Sequence, residues 1–175
     1  MKMFSKESLV RKGTWSSGTS WEFYIVDYLI DESLVTAVMG FAYDDAGRII
    51  LTCNHRGWDL PGGHVEIGET VVEALHREMH EEAGIHITSQ KQFACLVIHN
   101  VGEKINKATN KPYPKTGYIP FYFVQFTGEP VSECIAEECF ESRAFDFWEE
   151  EVQGSNPLEY LRIARALRLS FSQQK

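Results

Sequence analysis

The 175-residue sequence has no uninterrupted apolar stretch of the roughly 20 residues that a membrane-spanning helix needs. Residues 1–7 also lack the apolar core of a targeting peptide. We therefore expect a cytoplasmic protein that has no membrane partner.

Cysteine is scarce, and the four that are present show no CxxC pairing: Cys53, Cys95, Cys134 and Cys139. This spacing argues against a zinc site and predicts reduced, partly buried thiols.

Positive charge is in short supply, with 17 Lys and Arg against 25 Asp and Glu and a net charge of −8. A surface for nucleic-acid polymers is therefore not expected. A small anionic ligand is still compatible with this balance if a metal ion and local cations contact its phosphates. The sequence has no repeat, low-complexity tract or linker, so residues 1–175 are expected to form one domain.

Six segments rich in apolar, aromatic and β-branched residues predict strands, over residues 21–30, 34–43, 48–53, 92–99, 118–126 and 144–148. Residues 1–20 are interpreted as a variable lead-in or a first hairpin. A turn at 44–47 predicts that the second and third strands form a hairpin in the main sheet. Pro120 predicts that its strand lies at an edge or that the residue stands near the strand start.

A C-terminal helix is predicted over residues 156–170, with Asn156 as its cap and Pro157 at the first helical position. Together with one helix in the middle of the chain, this order favours an α/β (α+β) sandwich, a mixed β-sheet flanked by helices.

The central helix belongs to residues 61–85, a glycine-rich loop followed by a short helix. Thr70 and Glu73 have the spacing of a capping box, and Gly84 supplies a left-handed stop. An apolar stripe faces a core: Val71, Val72, Leu75 and Met79.

Three carboxylates lie beside that stripe at positions i, i+3 and i+4, namely Glu78, Glu81 and Glu82. Like charges at this spacing repel each other. A hard divalent cation would reverse the repulsion, and oxygen ligands favour Mg²⁺ or Mn²⁺ over Zn²⁺. The alternative is an ordinary solvated acidic helix face.

The wider pattern distinguishes these alternatives. Gly63, Glu69 and the run from Arg77 to Ile85 match all nine fixed positions of the 23-residue Nudix box. The sequence therefore resembles the Nudix hydrolase superfamily, in its MutT-like branch. The resemblance implies the Nudix fold and a metal-dependent hydrolysis, with Mg²⁺ or Mn²⁺, of a nucleoside diphosphate linked to another moiety, X.

The resemblance also implies roles for individual residues. Glu81 or Glu82 would take a proton from the attacking water, Arg77 would pair with a neighbouring carboxylate, and Glu69 would anchor the loop or accept a hydrogen bond. The expected metal ligands within the box are Gly63, Glu78, Glu81 and Glu82. The resemblance also implies an additional carboxylate ligand in the region of residues 129–141, where several glutamates compete, namely Glu129, Glu133, Glu137, Glu138 and Glu141. Of these, Glu138 is chosen as the expected ligand.

The identity of X stays open at this point. A nucleoside triphosphate, such as an oxidised purine dNTP giving the monophosphate and pyrophosphate, is one interpretation of the MutT-like pattern. ADP-ribose, sugar nucleotides, dinucleoside polyphosphates and a non-catalytic nucleotide sensor are the alternatives. The lysine-rich segment 100–116 is interpreted either as substrate-facing or as a solvated loop. The expected partner is a small nucleotide, and an apolar N-terminal strand could form a homodimer edge.

Overall fold

The computed structural model describes residues 4–28, 31–106, 108–130, 134–135, 139–155 and 157–172, with only the backbone given for 169–172. The strands within these ranges are β1 (Leu9–Thr14), β2 (Ser20–Ile25), β3 (Ala37–Ala42), β4 (Ile49–Asn54), β5 (Gly57–Asp59), β6 (Gly62–His64), β7 (His86–His99), β8 (Ile105–Asn106), β9 (Lys111–Pro112), β10 (Thr116–Thr127) and β11 (Cys139–Phe145). The helices are α1 (Val71–Ala83), α2 (Glu150–Gln153) and α3 (Leu158–Ser172).

The main sheet has the strand order β1-β2-β7-β10-β3-β6. Its neighbours are antiparallel except for β10 and β3, which run parallel, so the sheet is mixed. A second sheet has the order β11-β4-β5, and β8 pairs with β9 in a small hairpin. The predicted mixed-sheet sandwich is confirmed.

Helices cover both faces of the main sheet. Neighbouring residues of a strand point to opposite faces and therefore pack against different helices. On β10, Phe121 packs in a core that includes Leu161 and Ala164 of α3, whereas Tyr122 packs in the core beneath α1. The α1 core is filled by the predicted stripe residues Val71, Leu75 and Met79 and by further apolar residues of β3 and β10. α1 is thereby fixed against the sheet, with its acidic positions at the margin of that core.

Close approach of α1 to β3 depends on Gly40. A Cβ atom at this position would lie 2.5 Å from the methyl carbon of Met79. Met79 is fully buried, which agrees with its predicted role as a hydrophobic residue in the box.

Two predictions about strand placement are wrong. β3 lies in the main sheet but β4 lies in the second sheet, and a single bridge between Tyr43 and Ile49 joins the two beside the predicted turn. Pro120 lies inside β10, a central strand, between Tyr118, which bridges to Val35, and Phe121, where the pairing with β3 begins.

The ends of the chain are partly as expected. Part of the predicted lead-in, residues 9–14, forms strand β1 and pairs with β2 as a first hairpin. The helix predicted for 156–170 is α3, although Asn156, its predicted cap, lies outside the described residues. In the described part of the chain, no helix combines the length and hydropathy needed to cross a bilayer.

The expectation that all four cysteines are reduced is wrong for two of them. Cys134 and Cys139 form a disulfide, whereas Cys53 and Cys95 are free thiols. The prediction failed because it looked for CxxC spacing, whereas this pair is five residues apart with Cα atoms at 5.6 Å, a separation that suits a bridge.

Candidate active site

The position of the acidic helix face follows from how α1 begins and ends. The Thr70 side chain accepts a hydrogen bond from the Glu73 amide at 3.2 Å, and Glu73 Oε2 accepts one from the Thr70 amide at 2.8 Å. Gly84 ends the helix in the left-handed conformation, at φ 68°. The predicted capping box and glycine stop are both present.

The glycine-rich loop brings backbone against these carboxylates. β6 pairs with β3, and this places Gly63 so close to Glu78 that an added Cβ would lie 2.3 Å from Glu78 Oε1. The neighbouring Gly62 donates its amide hydrogen to Glu82 Oε2 at 2.9 Å. Gly62 has φ 151°, and a Cβ there would lie 2.2 Å from the Val38 carbonyl oxygen.

Arg77 is the centre of the charge network. Its Nε and Nη2 donate to the two carboxylate oxygens of Glu69 at 2.9 and 3.1 Å, a bidentate pair. Its Nη1 donates to Glu78 Oε1 at 2.9 Å and to Glu81 Oε2 at 3.1 Å. Nη2 also donates to the backbone oxygen of His64 at 2.9 Å. One guanidinium therefore holds the helix and the loop together.

The pKa values of three acids beside the loop, Glu69, Glu78 and Glu82, are shifted in different directions. Burial raises the pKa of Glu78, although Arg77 opposes the rise. Burial raises the pKa of Glu82 to about 7, with the Gly62 amide opposing and the Glu78 charge adding to the rise. Glu69 is also desolvated, but its hydrogen bonds with Arg77 and the Glu66 amide lower its pKa overall. The pKa of Arg77 is raised, chiefly by its hydrogen bonds with Glu69.

These residues suit a hard divalent cation. Glu78 is 8% exposed, and with Glu82 it forms a pair of carboxylates whose ionised forms are destabilised by burial. A cation would stabilise the ionised forms, and the donor atoms available are oxygens, which Mg²⁺ and Mn²⁺ prefer. Among the described residues, no group of three or more His, Cys, Asp or Glu side chains is arranged as a preformed metal cluster.

The three carboxylates of the helix contact different partners. Glu78 and Glu81 turn towards Arg77, whereas Glu82 turns towards Gly62. Glu138, the predicted additional ligand, lies outside the described residues.

The C-terminal end of α1 is covered by the segment that carries the disulfide. The Ile135 amide donates to the Glu81 carbonyl oxygen at 2.8 Å. The sulfur atoms of Cys134 and Cys139 lie 3.0 and 3.5 Å from the Glu82 carbonyl oxygen. The last carbonyl groups of a helix have no partners within the helix, and here those of Glu81 and Glu82 are contacted by this segment.

The contact between His64 and Tyr113 was not predicted. His64 Nε2 and Tyr113 Oη lie 2.6 Å apart, which joins the lysine-rich segment 100–116 to the glycine-rich loop. His64 is the residue whose backbone oxygen accepts from Arg77. The only signal in the sequence was the length and charge of the segment, which do not specify where it folds.

The chain is similar in sequence and in fold to known proteins. A family model described as the NUDIX domain matches residues 33–162. A crystal structure of a variant of the Bacillus subtilis pyrophosphohydrolase BsRppH is similar, with a TM-score of 0.62 and 19% identity over 83% of this chain and 84% of that one. At this identity the likeness concerns the fold.

Two curated proteins are similar in sequence. The 8-oxo-dGTP diphosphatase of Haemophilus influenzae is 28% identical over 109 residues, which cover 55% of this chain and 80% of that protein. The human 8-oxo-dGDP phosphatase NUDT18 is 66% identical over 29 residues, which cover 17% of this chain and 9% of that protein. The chain therefore spans only a small part of the human protein's length.

Proposed function

This chain belongs to the Nudix hydrolase family, and from that membership we propose that it hydrolyses the diphosphate linkage of a small nucleotide with the help of a divalent metal ion. The observation that carries the proposal is the Arg77 network, in which one guanidinium bonds to three box carboxylates beside the glycine-rich loop. The family membership supplies the reaction class, and the network supplies the residues.

The metal ligands proposed are Gly63 through its carbonyl oxygen together with Glu78, Glu81 and Glu82, and the metal is Mg²⁺ or Mn²⁺. When bound, such an ion neutralises phosphate charge and makes a bound water more acidic. Glu138 remains a proposed additional ligand. These assignments are supported by oxygen donors on one helix and by the contact of Glu78 with the Gly63 backbone.

The remaining residues have positioning or proton-transfer roles in this proposal. Arg77 fixes the rotamers of Glu78 and Glu81. Glu69 holds Arg77 in place and also accepts a hydrogen bond from the Glu66 amide. Glu81 or Glu82 accepts the proton of the attacking water. The two differ in their surroundings, since Arg77 contacts Glu81 and a neutral amide contacts Glu82.

The first substrate to test is an oxidised purine deoxynucleoside triphosphate, which would yield the monophosphate and pyrophosphate. The support is the likeness to the Haemophilus influenzae 8-oxo-dGTP diphosphatase, which covers most of that protein. ADP-ribose, sugar nucleotides and dinucleoside polyphosphates share the diphosphate linkage and complete the panel.

The deciding experiment is hydrolysis of this panel with Mg²⁺ or Mn²⁺ by the wild-type protein and by Glu82→Gln. We expect Glu82→Gln to lower kcat by about 10²–10⁴-fold, because it removes a proposed ligand or base without changing side-chain size. Glu7→Gln, an exposed acid far along the chain from the box, is the matched control and should leave kcat unchanged.

Two results would contradict the proposal. Failure of the wild-type protein to hydrolyse any member of the panel would reject the catalytic function, and nucleotide binding without product would favour a sensor of the same fold. Wild-type turnover in Glu82→Gln, with the fold intact by circular dichroism, would reject the role given to Glu82.

A homodimer also remains part of the proposal. Its support is that β1 stands at one end of the main sheet and that Val10 on this strand is 47% exposed. Sedimentation equilibrium would test it, and a monomer at all concentrations would reject it.

A further inference from the structure

The described residues of segment 100–116 form a β-hairpin that extends from the ends of β7 and β10 in the main sheet. β8 and β9 pair in a register that sets Ile105 opposite Pro112, and the Tyr113 amide continues the ladder by donating to the Lys104 carbonyl oxygen at 2.8 Å. The hairpin is closed at its base by Asn100, whose amide donates to the Lys115 carbonyl oxygen at 2.9 Å.

One face of this hairpin is turned towards the box. Residues directly opposite each other in an antiparallel pair share a face, and so do residues two positions apart on one strand. Tyr113, which contacts His64, therefore shares its face with Lys104 and Lys111. Asn106 on this face is 5% exposed, whereas Lys104 and Lys111 are exposed, so this face, which we call the inner face, keeps both lysines accessible to a ligand.

The hairpin concentrates positive charge in an acidic protein. Four of the chain's 17 Lys and Arg residues fall in segment 100–116, together with only one of its 25 acidic residues. Lys107 lies outside the described residues. Among the described residues, Lys104, Lys111 and Lys115 make no ion pair with a carboxylate, so their charges are not neutralised by the acidic box.

The connection between hairpin and box is short. Tyr113 contacts the His64 ring, and the His64 backbone oxygen accepts a hydrogen bond from Arg77, which holds Glu78 and Glu81. The hairpin therefore adjoins the place that a diphosphate beside these carboxylates would occupy, and it offers its inner face to the remainder of such a ligand. An uncharged group would gain little binding free energy at this face, whereas a phosphate group would be attracted by the positive charges of Lys104 and Lys111.

We propose that Lys104 and Lys111, positioned by the Tyr113–His64 contact, bind an anionic moiety X of the substrate, so that the protein prefers nucleotides whose X is a phosphate or phosphate chain over nucleotides whose X is an uncharged sugar. This inference rests on the proposed function. It goes further by naming the chemical class of X and the residues that select it.

The first test compares two substrates that have the same base and differ in X. GTP carries a phosphate and GDP-mannose an uncharged sugar. Lys104→Gln/Lys111→Gln should lower kcat/KM for GTP by about tenfold through KM, and it should leave the value for GDP-mannose unchanged. The loss should shrink at high ionic strength, because salt screens exposed charges.

The matched control removes two lysines away from the hairpin, Lys6 and Lys91. Lys91 lies eight residues from His99 on β7, roughly 26 Å along an extended strand. Lys6→Gln/Lys91→Gln makes the same change in net charge and should leave both kcat/KM values unchanged. Tyr113→Phe tests positioning, and it should raise KM for GTP while kcat stays unchanged.

A binding measurement separates this inference from the proposed function. Calorimetry with inorganic tripolyphosphate and Mg²⁺ should give a Kd about tenfold higher for Lys104→Gln/Lys111→Gln than for the wild type or the control. If no nucleotide is hydrolysed but this difference appears, the proposed function fails, whereas the binding of a phosphate chain by Lys104 and Lys111 stands. If nucleotides are hydrolysed and neither Kd nor the ratio of kcat/KM values responds to the lysines, the inference is wrong and the function stands.

Discussion

At the scale of single residues, Gly63 shows how one missing side chain shapes the site. The Glu78 carboxylate occupies the space in which a Cβ at position 63 would lie, at 2.3 Å from Oε1 and 2.6 Å from the carboxyl carbon. Glu78 is buried, so it has little freedom to move aside without leaving Arg77. The glycine at this position is therefore required by a side chain fifteen positions later on the helix.

We expect Gly63→Ala to lower kcat by at least about 100-fold, because a displacement of about 1 Å at a reacting group can cost that much. The measurement is kcat on the best substrate of the panel, together with the thermal midpoint. Gly154→Ala is the matched control, since a Cβ there would meet only the Glu150 carbonyl oxygen at 3.4 Å. Unchanged kcat in Gly63→Ala would show that the position of Glu78 against the loop is not needed for catalysis.

Arg77 shows what residue spacing does and does not specify. The sequence predicted pairing with one neighbouring carboxylate, and the i, i+4 relation to Glu81 is visible in the printed letters. The bidentate pair with Glu69 is not visible in the sequence, because it spans eight residues across the turn between the loop and the helix. Local periodicity predicts which side chains share a helix face, but it does not predict how a preceding loop folds back on that face.

At the scale of elements, α1 is defined by local signals that agree with one another. The capping box, the apolar stripe and the glycine stop all lie within fifteen residues. The cap and the stop are present as predicted, and the stripe is buried at Val71, Leu75 and Met79, but its prediction is wrong for Val72, which is 40% exposed. Agreement of this kind explains why the helix and its acidic face could be predicted from the sequence.

We expect Thr70→Ala to lower the free energy of unfolding by about 1 kcal/mol, the usual cost of losing an N-cap side chain. The Glu73 amide would lose its acceptor, and the first turn of α1, next to Glu69, would fray. Urea denaturation measures the change. Val72→Ala, at a 40% exposed position of the same helix, is the control and should cost less. Equal losses in both variants would contradict the importance of the cap.

The placement of strands was less predictable than their existence. The stretches around β3, β4 and β10 were predicted as strands from composition, yet β4 pairs with β11, about ninety residues further on. Strand pairing depends on long-range packing, which residue type and alternation do not encode. The same holds for the 100–116 hairpin, whose docking through Tyr113 could not be inferred from its lysines.

At the scale of the whole molecule, charge is distributed unevenly. The net charge of the chain is −8, whereas segment 100–116 contains more lysine than acidic residues. Acidic side chains at the box and basic side chains at the hairpin are joined by the Tyr113–His64 contact. A molecule that repels anions in general can in this way still attract one at a defined place.

The buried carboxylates of α1 link the stability of the whole molecule to pH and metal. Burial gives Glu82 a folded-state pKa of about 7, above its ordinary value of 4.5. A carboxyl group with a raised pKa stabilises the fold while it is protonated, and this contribution is lost as pH rises from about 4.5 through about 7. Glu78, whose pKa is also raised, acts in the same direction.

Without metal, we therefore expect Glu82→Gln to be more stable than the wild type at pH 8, by about 3 kcal/mol, and the difference to fall below about 1 kcal/mol at pH 5. Adding Mg²⁺ at pH 8 should stabilise the wild type, because an ion that binds only the folded protein shifts the equilibrium by mass action, and it should stabilise Glu82→Gln less. Urea denaturation at pH 5, 7 and 8, in EDTA and in Mg²⁺, measures all three effects. A metal-free wild type as stable as Glu82→Gln at pH 8 would mean that the Glu82 charge carries no burial cost, and the electrostatic reason for a cation at this helix would be lost.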